Sequence, residues 1–388
     1  MSKLITFSWI IFVSLISLFL PSTAVYNVIR FGAKPDGKTD STQPFLQAWT
    51  SACKSPSPAT VYIPRGRFLI KPIKFYGPCR SKIIFQIDGT IVAPPSYDSM
   101  GSSEFWILFY KVNRLNVHGG TFDATGAAYW SCKKSRKSCP APTKSISFEG
   151  CNDVVVNGLT SINSRYFHIT TDACNNIMFR KLTITAPNWS PNTDGIHIQS
   201  SSGITISDSA IKTGDDCISM GPGSKNLLID GVTCGPGHGI SIGSLGNSAA
   251  EAGVQNVTVK GSVFTGTQNG LRIKTWGRSS NGFARNIVYQ NCVMHNVYNP
   301  IIIDQNYCPS NQCPHQSSGV KISGVTYKNI KGTSATKVAM NFDCSPSNPC
   351  TGINLQDIKL TYSNRAATSF CKNAKGSSSG VVVPRSCL

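Results

Sequence analysis

Short apolar triplets return in similar settings through the second half of this chain. Their members are Val154-Val155-Val156, Ile177-Met178-Phe179, Ile204-Thr205-Ile206, Leu227-Leu228-Ile229, Val257-Thr258-Val259, Ile287-Val288-Tyr289, Val320-Lys321-Ile322 and Ile353-Asn354-Leu355, at intervals of 23 to 33 residues. Asn or Gly often stands just before the triplet, as at Asn176, Gly203, Asn226, Asn256 and Asn286. A second apolar series lies between them, starting at Phe167, Ile196, Ile218, Ile240, Leu271, Ile301 and Met340. Short β-rich segments at this period, punctuated by Gly, Asn and Ser, indicate a solenoid. Helical periodicity is too sparse for leucine-rich or ankyrin repeats, and propeller blades need about 40–50 residues each. The pattern therefore predicts an all-β protein, a right-handed parallel β-helix whose coils bury their apolar faces by stacking. The recurrent Asn residues predict side-chain ladders between coils.

One helix is expected near the start, from Ser41 to Cys53, with Asp40 as N-cap and Phe45, Leu46, Trp49 and Ala52 on one apolar face. A solenoid needs its open end covered, and this helix is the expected cap. Ahead of it, Lys3, the apolar run Ile10 to Leu20 and Ser22-Thr23-Ala24 read as a secretory signal over residues 1–24. The run is short for a membrane span. Nothing after it reads as a linker, so residues 25–388 are expected to form a single catalytic domain, a monomer outside the cell.

The chain holds 15 cysteines, which in an exported protein read as disulfides rather than zinc ligands. Local spacing suggests Cys132–Cys139, Cys217–Cys234, Cys308–Cys313, Cys344–Cys350 and Cys371–Cys387. The odd count leaves at least one free thiol, and Cys292 on a core-like strand is the expected one. The basic stretch from Cys132 to Cys139 reads as a disulfide-closed loop inserted between coils.

The second apolar series sets a register for chemistry. Asp194, Asp216 and His238 each lie two residues before a strand's first apolar member, and each is 22 residues from the next. They belong to Asn192-Thr193-Asp194, Gly214-Asp215-Asp216 and Gly237-His238-Gly239. Neighbouring parallel strands lie ~4.8 Å apart, so Asp194, Asp215 and Asp216 should cluster. Carboxyls that close push at least one pKa upward. One protonated acid beside one ionised base is what glycosidic hydrolysis requires. A lone Asp at a turn would only shape the backbone, and an acid cluster can also hold Ca²⁺. Three motifs in one register favour an acid/base site with no metal and no cofactor.

Charge narrows the partner. With 37 basic and 18 acidic residues the formal charge is +19, which suits polyanions generally. Export argues against nucleic acid, and there is no basic amphipathic helix for a membrane, which leaves acidic polysaccharide. Arg272 and Lys274, on one face of Arg272-Ile273-Lys274, read as a clamp on a substrate carboxylate, although neutralising the acid cluster is an alternative. Tyr307 could pack on a sugar face or be structural.

Taken together, Asn192-Thr193-Asp194, Gly214-Asp215-Asp216, Gly237-His238-Gly239, Arg272-Ile273-Lys274 and Asp304-Gln305-Asn306-Tyr307 resemble, in order, the motifs of plant polygalacturonases in glycoside hydrolase family 28. The opening Phe31-Gly32-Ala33-Lys34-Pro35-Asp36-Gly37 resembles that of pectin-active β-helix enzymes, and the resemblance covers the mature chain. It implies inverting hydrolysis of α-1,4 bonds in de-esterified homogalacturonan in the plant cell wall, with endo action preferred over exo. It further implies Asp215 as general acid, with Asp194 and Asp216 holding and deprotonating the attacking water. His238 would support the acid, Asn192 order the site, and Arg272, Lys274 and Tyr307 bind galacturonate. Inversion rests on the resemblance alone, because neighbouring rungs suggest less than the about 6.5–9.5 Å carboxyl separation associated with it. A pectate lyase and a non-catalytic pectin-binding wall protein are the competing readings. Asn256-Val257-Thr258 and Asn188-Trp189-Ser190 are glycosylation sequons.

Overall fold

The computed structural model describes residues 24–96, 98–135, 138–309, 312–313 and 316–388. The secretory signal lies outside these except for Ala24, which opens the first strand, Ala24–Asn27. Among the described residues no helix is long and apolar enough to cross a membrane. The chain winds as a right-handed parallel β-helix. Ladder partners are parallel throughout, apart from one short antiparallel pairing of Thr361–Tyr362 with Arg365–Ala366 near the end.

Two stacks of inward side chains form the core. One runs Val154, Ile177, Ile204, Leu227, Val257, Ile287, Val325 and Ile353 through successive coils. The other runs Ile169, Ile196, Ile218, Ile240, Leu271, Ile301 and Met340 on the opposite wall. Every member is buried. Apolar burial stabilises by about 25 cal/mol per Å², and here each coil obtains it only from its neighbours.

Two positions differ from the sequence expectation. In the first series the seventh member is Val325, not Val320; Val320 leads into Lys321, which pairs with Phe283. The reason lies in the bend before each strand. Asp153, Asn176, Gly203, Asn226, Asn256, Asn286, Gly324 and Gly352 all have φ between 56° and 68°, the left-handed region that Gly, Asn and Asp tolerate. Gly324 therefore marks Val325. In the second series the first member is Ile169, not Phe167. The expected ladders form along the same bend: Asn176 donates to Asp153 (2.6 Å), Asn256 to Asn226 (3.0 Å) and Asn286 to Asn256 (3.2 Å).

Helix α1 spans Thr42–Lys54 with Ser41 as its N-cap residue. Asp40, expected as the cap, instead accepts from the Thr42 amide and hydroxyl one position further out. Phe45, Ala48, Trp49 and Ala52 are buried, while Leu46 packs at the margin. Trp49 sits among Phe75, Phe85 and Phe109 with centroids 4.9 to 6.3 Å away, and its indole donates to Tyr76 O at 3.1 Å. The helix thus seals the first coils.

All five expected disulfides are present. A sixth, Cys53–Cys79, ties the last turn of α1 to the adjacent coil. Three thiols are free and buried, Cys151 and Cys174 in addition to Cys292. A second helix, α2, Ala127–Lys134, runs into the loop closed by Cys132–Cys139; Arg136 and Lys137 of that loop lie outside the described residues.

Trp49→Ala should cost about 3–5 kcal/mol, read as a lowered denaturation midpoint by circular dichroism. A change below about 0.5 kcal/mol would mean that α1 does not hold the first coils.

Candidate active site

The second stack positions the site. Because Ile196, Ile218 and Ile240 pair in register, the residues two positions earlier, in the bends leading into these strands, form a column. Read along successive coils, the column is Phe167, Asp194, Asp216, His238, Asn269 and Asn299. Its last members continue as a ladder: Asn269 donates to His238 O at 3.1 Å, and Asn299 to Asn269 Oδ1 at 3.2 Å. The glycines beside the acids permit this closeness. A Cβ on Gly214 would lie 2.0 Å from Ser190 O, and one on Gly239 (φ +91°) would lie 2.1 Å from Asn269 O.

A cleft of about 170 Å³ opens over the column, lined by Asn192, Asp194, Asp215, Asp216, Lys274 and Tyr307 from the sequence candidates. Tyr166, Phe167, His197, Ser219, Gly243 and Ser244 complete it. His238 and Arg272 reach it from the sides. His238 opens onto a recess with Gly237, Gln268 and Tyr298, and Arg272 onto another shared with Tyr307.

The three carboxyls have distinct surroundings. Asp216 is 1% exposed. Arg272 Nη2 donates to its Oδ1 and Lys274 Nζ to its Oδ2, each at 2.8 Å, and Ser241 Oγ donates to Oδ1 at 2.8 Å. Burial would raise its pKa, but Lys274 and Arg272 outweigh that and hold it at about 2. Asp194 has no such cation in contact. Burial first, then the charges of Asp215 and Asp216, push its pKa well above the usual carboxylate value. Ser219 Oγ donates to Asp194 Oδ2 at 2.6 Å and lies 2.8 Å from His197 Nδ1. Since that hydroxyl proton points to Asp194, Ser219 accepts from His197 Nδ1–H. Burial lowers the His197 pKa to about 4, so the ring is neutral. Asp215 is more open; its Oδ1 lies 3.0 Å from His238 Nδ1, and its Oδ2 accepts weakly from Asn192 at 3.4 Å.

The clamp expected of Arg272 and Lys274 therefore takes a different form. Both cations are paired to Asp216 and nearly buried, at 10% and 8% side-chain exposure. Paired burial offsets the cost of desolvating all three charges. Tyr307 stands over them, its ring centroid 5.1 Å from Lys274 Nζ and 5.9 Å from Arg272 Cζ. Ligand atoms of Asp215, Asp216 and His238 lie within 4.8 Å of one another. A dication there would compete with Arg272 and Lys274 for Asp216, so the donor set fits a metal poorly.

Tyr166 and Phe167 were not among the sequence candidates. Their rings stack at 4.0 Å, and Phe167 stacks on His197 at 4.7 Å. The register would have found Phe167 once the strand was indexed from Ile169. Ser219 and His197 carry no motif beyond the strand itself.

A buried carboxylate, its cations and two further acids in a solvent-open cleft make an acid/base centre on a parallel β-helix. Over residues 53–387 the chain matches the family described as Glycosyl hydrolases family 28. Residues 25–80 also match Rhamnogalacturonase A/epimerase, pectate lyase-like. It is 54% identical over 382 residues to a polygalacturonase of Prunus persica, covering 98% of this chain and 97% of that protein. It is 45% identical to an exopolygalacturonase of Platanus acerifolia, covering 94% and 97%. The polygalacturonase structure from Erwinia carotovora superposes with a TM-score of 0.76 at 26% identity, covering 92% and 98%. The protein is a glycoside hydrolase, and the chain belongs to glycosyl hydrolase family 28.

The raised Asp194 pKa carries a stability cost with a definite sign. Below about pH 4 the carboxyl is protonated in both folded and unfolded chains and costs nothing. As pH rises the unfolded chain releases the proton first, and folding loses stability until Asp194 itself ionises. Asp194→Asn should therefore stabilise the fold near neutral pH by on the order of 1 kcal/mol, read as a higher melting temperature, with the gain vanishing toward pH 3. A destabilised variant at neutral pH would contradict this.

Proposed function

We propose that the protein is a polygalacturonase that hydrolyses α-1,4-galacturonosidic bonds within de-esterified homogalacturonan, with inversion. The observation that carries this reading is the asymmetry of the stacked acids, one fixed as an anion by two cations and one made more basic by burial and like charge. Asp215, the most open of the three, donates its proton to the leaving oxygen, with His238 sharing that proton across 3.0 Å. Asp216 orients the attacking water as a fixed anion, and Asp194, the more basic carboxylate when ionised, takes its proton. Asn192 steadies Asp215, and Tyr307 offers a face to a sugar ring beside Lys274 and Arg272. The net charge of +19 draws a polyanion to the cleft.

Endo action is supported by recesses that flank the cleft on both sides, around Pro191 on one and around Tyr307 on the other. A lyase would need a free cationic base, whereas Arg272 and Lys274 are both bound to Asp216. Six disulfides and plant relatives support a secreted wall enzyme. All the acids come from one chain, so a monomer suffices.

On polygalacturonic acid the enzyme should release reducing ends, with mid-sized oligomers appearing first. Asp215→Asn should lower kcat by about 10²–10⁴-fold with little change in KM. Galacturonate monomer as the sole early product would replace endo with exo action. Binding without new reducing ends would overturn the hydrolase reading.

A further inference from the structure

Two serines on neighbouring strands each donate to one of the paired acids. Ser219 Oγ lies 2.6 Å from Asp194 Oδ2, and Ser241 Oγ lies 2.8 Å from Asp216 Oδ1. The two serines pair in register, and their column continues to His197 on one side and to Arg272 on the other. Each end supplies the donor that stands behind a serine. His197 Nδ1 lies 2.8 Å from Ser219 Oγ, and Arg272 Nε donates to Ser241 Oγ at 2.9 Å. The two arrangements differ in that donor, a permanent cation behind Asp216 and a neutral imidazole behind Asp194. The hydrolytic scheme gives His197 no role.

His197 is held in one orientation. Phe167 stacks on its face with centroids 4.7 Å apart at 26°, and Gly221 lies against its rim, where a Cβ would stand 3.4 Å from Cε1. Ser219 and Asp194 are both buried, so little solvent reaches the hydroxyl between them. A serine hydroxyl has one proton, and it rotates to whichever acceptor is offered. The Nδ1–H of His197 occupies a lone pair of Oγ and leaves that proton Asp194 to meet. A ring protonated on Nε2 instead would offer Nδ1 as an acceptor and draw the hydroxyl away from the acid. Among the described residues no other side chain donates to the Asp194 carboxyl.

The geometry points to His197 and Ser219 as positioning residues that aim Asp194 and set its strength as the base of the reaction. This rests on the proposed hydrolysis for what Asp194 does, but not for how it is held. A neutral donor relayed through a hydroxyl orients the carboxyl without adding a charge, so Asp194 stays basic. A cation in the place of His197 would make it a second fixed anion like Asp216. The charges around the pair do not duplicate this control. Asp194 faces Asp215 and Asp216, which raise its pKa, Lys274, which lowers it, and the Tyr166 ring. His197 faces Lys144 and Lys274 on one sign, Asp216 on the other, and the amide of Gln199. A hydrogen bond to the ionised form favours that form, so removing Ser219 or the donor behind it makes Asp194 harder to ionise. A rate that needs Asp194 ionised then rises at higher pH.

The test follows kcat on polygalacturonic acid against pH for Ser219→Ala, His197→Leu and His197→Asn, together with the Asp194 side-chain carbon signal by ¹³C NMR. In Ser219→Ala and His197→Leu the acid limb of kcat and the Asp194 titration should both move up by about one pH unit. Below the limb that is a roughly tenfold loss of kcat, with KM little changed. His197→Asn, whose amide N–H takes the place of Nδ1–H, should return both toward wild type. A loss of kcat equal at every pH, with limb and signal in place, is what a merely structural role gives and would overturn the inference. So would a His197→Asn profile no different from that of His197→Leu. A carbon signal that moves while the limb stays would also overturn it, because Asp194 would then not be the base. A moved signal in a protein whose wild type releases no reducing ends would keep the control of Asp194 by His197 and Ser219 and remove the hydrolase reading.

Discussion

The structure depends on one constraint, the coil-to-coil register of the strands that carry Ile196, Ile218, Ile240 and Leu271. Side chains alternate along a strand, so one residue of slippage would turn the isoleucines outward and carry the bends that hold the acids out of line with one another. Fidelity of the core and assembly of the site are therefore the same requirement. The inner face supplies the burial that fixes the register, and the bends leading into these strands carry Asp194, Asp216 and His238 on successive rungs. Left-handed bends at Asn, Asp and Gly and the Asn ladders hold that register on the opposite wall.

Stacking charges at rung spacing creates an electrostatic difficulty whose resolution gives the site its chemistry. Two buried carboxyls on neighbouring rungs cannot both ionise cheaply. The rung two further on supplies Arg272 and Lys274, and both reach across to Asp216. One member of the pair is thereby kept ionised, and the whole unfavourable balance falls on Asp194. Serines on the following rungs finish the arrangement: Ser241 bridges Arg272 to Asp216, and Ser219 bridges His197 to Asp194. Each carboxyl is oriented by a hydroxyl and distinguished by what stands behind it.

Much of this was legible in the sequence because a solenoid writes its three-dimensional contacts as a period. The strands, the acid column and five local disulfides all follow from spacing. Legibility failed where contacts cross the period. Cys53 and Cys79 meet only because α1 folds back over the first coils. Val320 is as apolar as Val325, and only the left-handed bend at Gly324 separates them. Phe167 read as core because it is apolar, although its register places it over the acids. The partners of Arg272 and Lys274 were ambiguous for a different reason. Alternation places both cations on the site face, but the side chains' reach along the column decides whether they meet a substrate or Asp216.

The central claim is that the register divides the clustered acids into one fixed anion and one basic carboxyl. Its most direct measurement is a pH titration of aspartate side-chain carbons by ¹³C NMR, with Asp194→Asn and Asp216→Asn spectra for assignment. The account predicts that the Asp216 signal stays that of a carboxylate down to about pH 2, while the Asp194 signal titrates well above the ordinary carboxyl range. Both signals titrating together near pH 4 would contradict it.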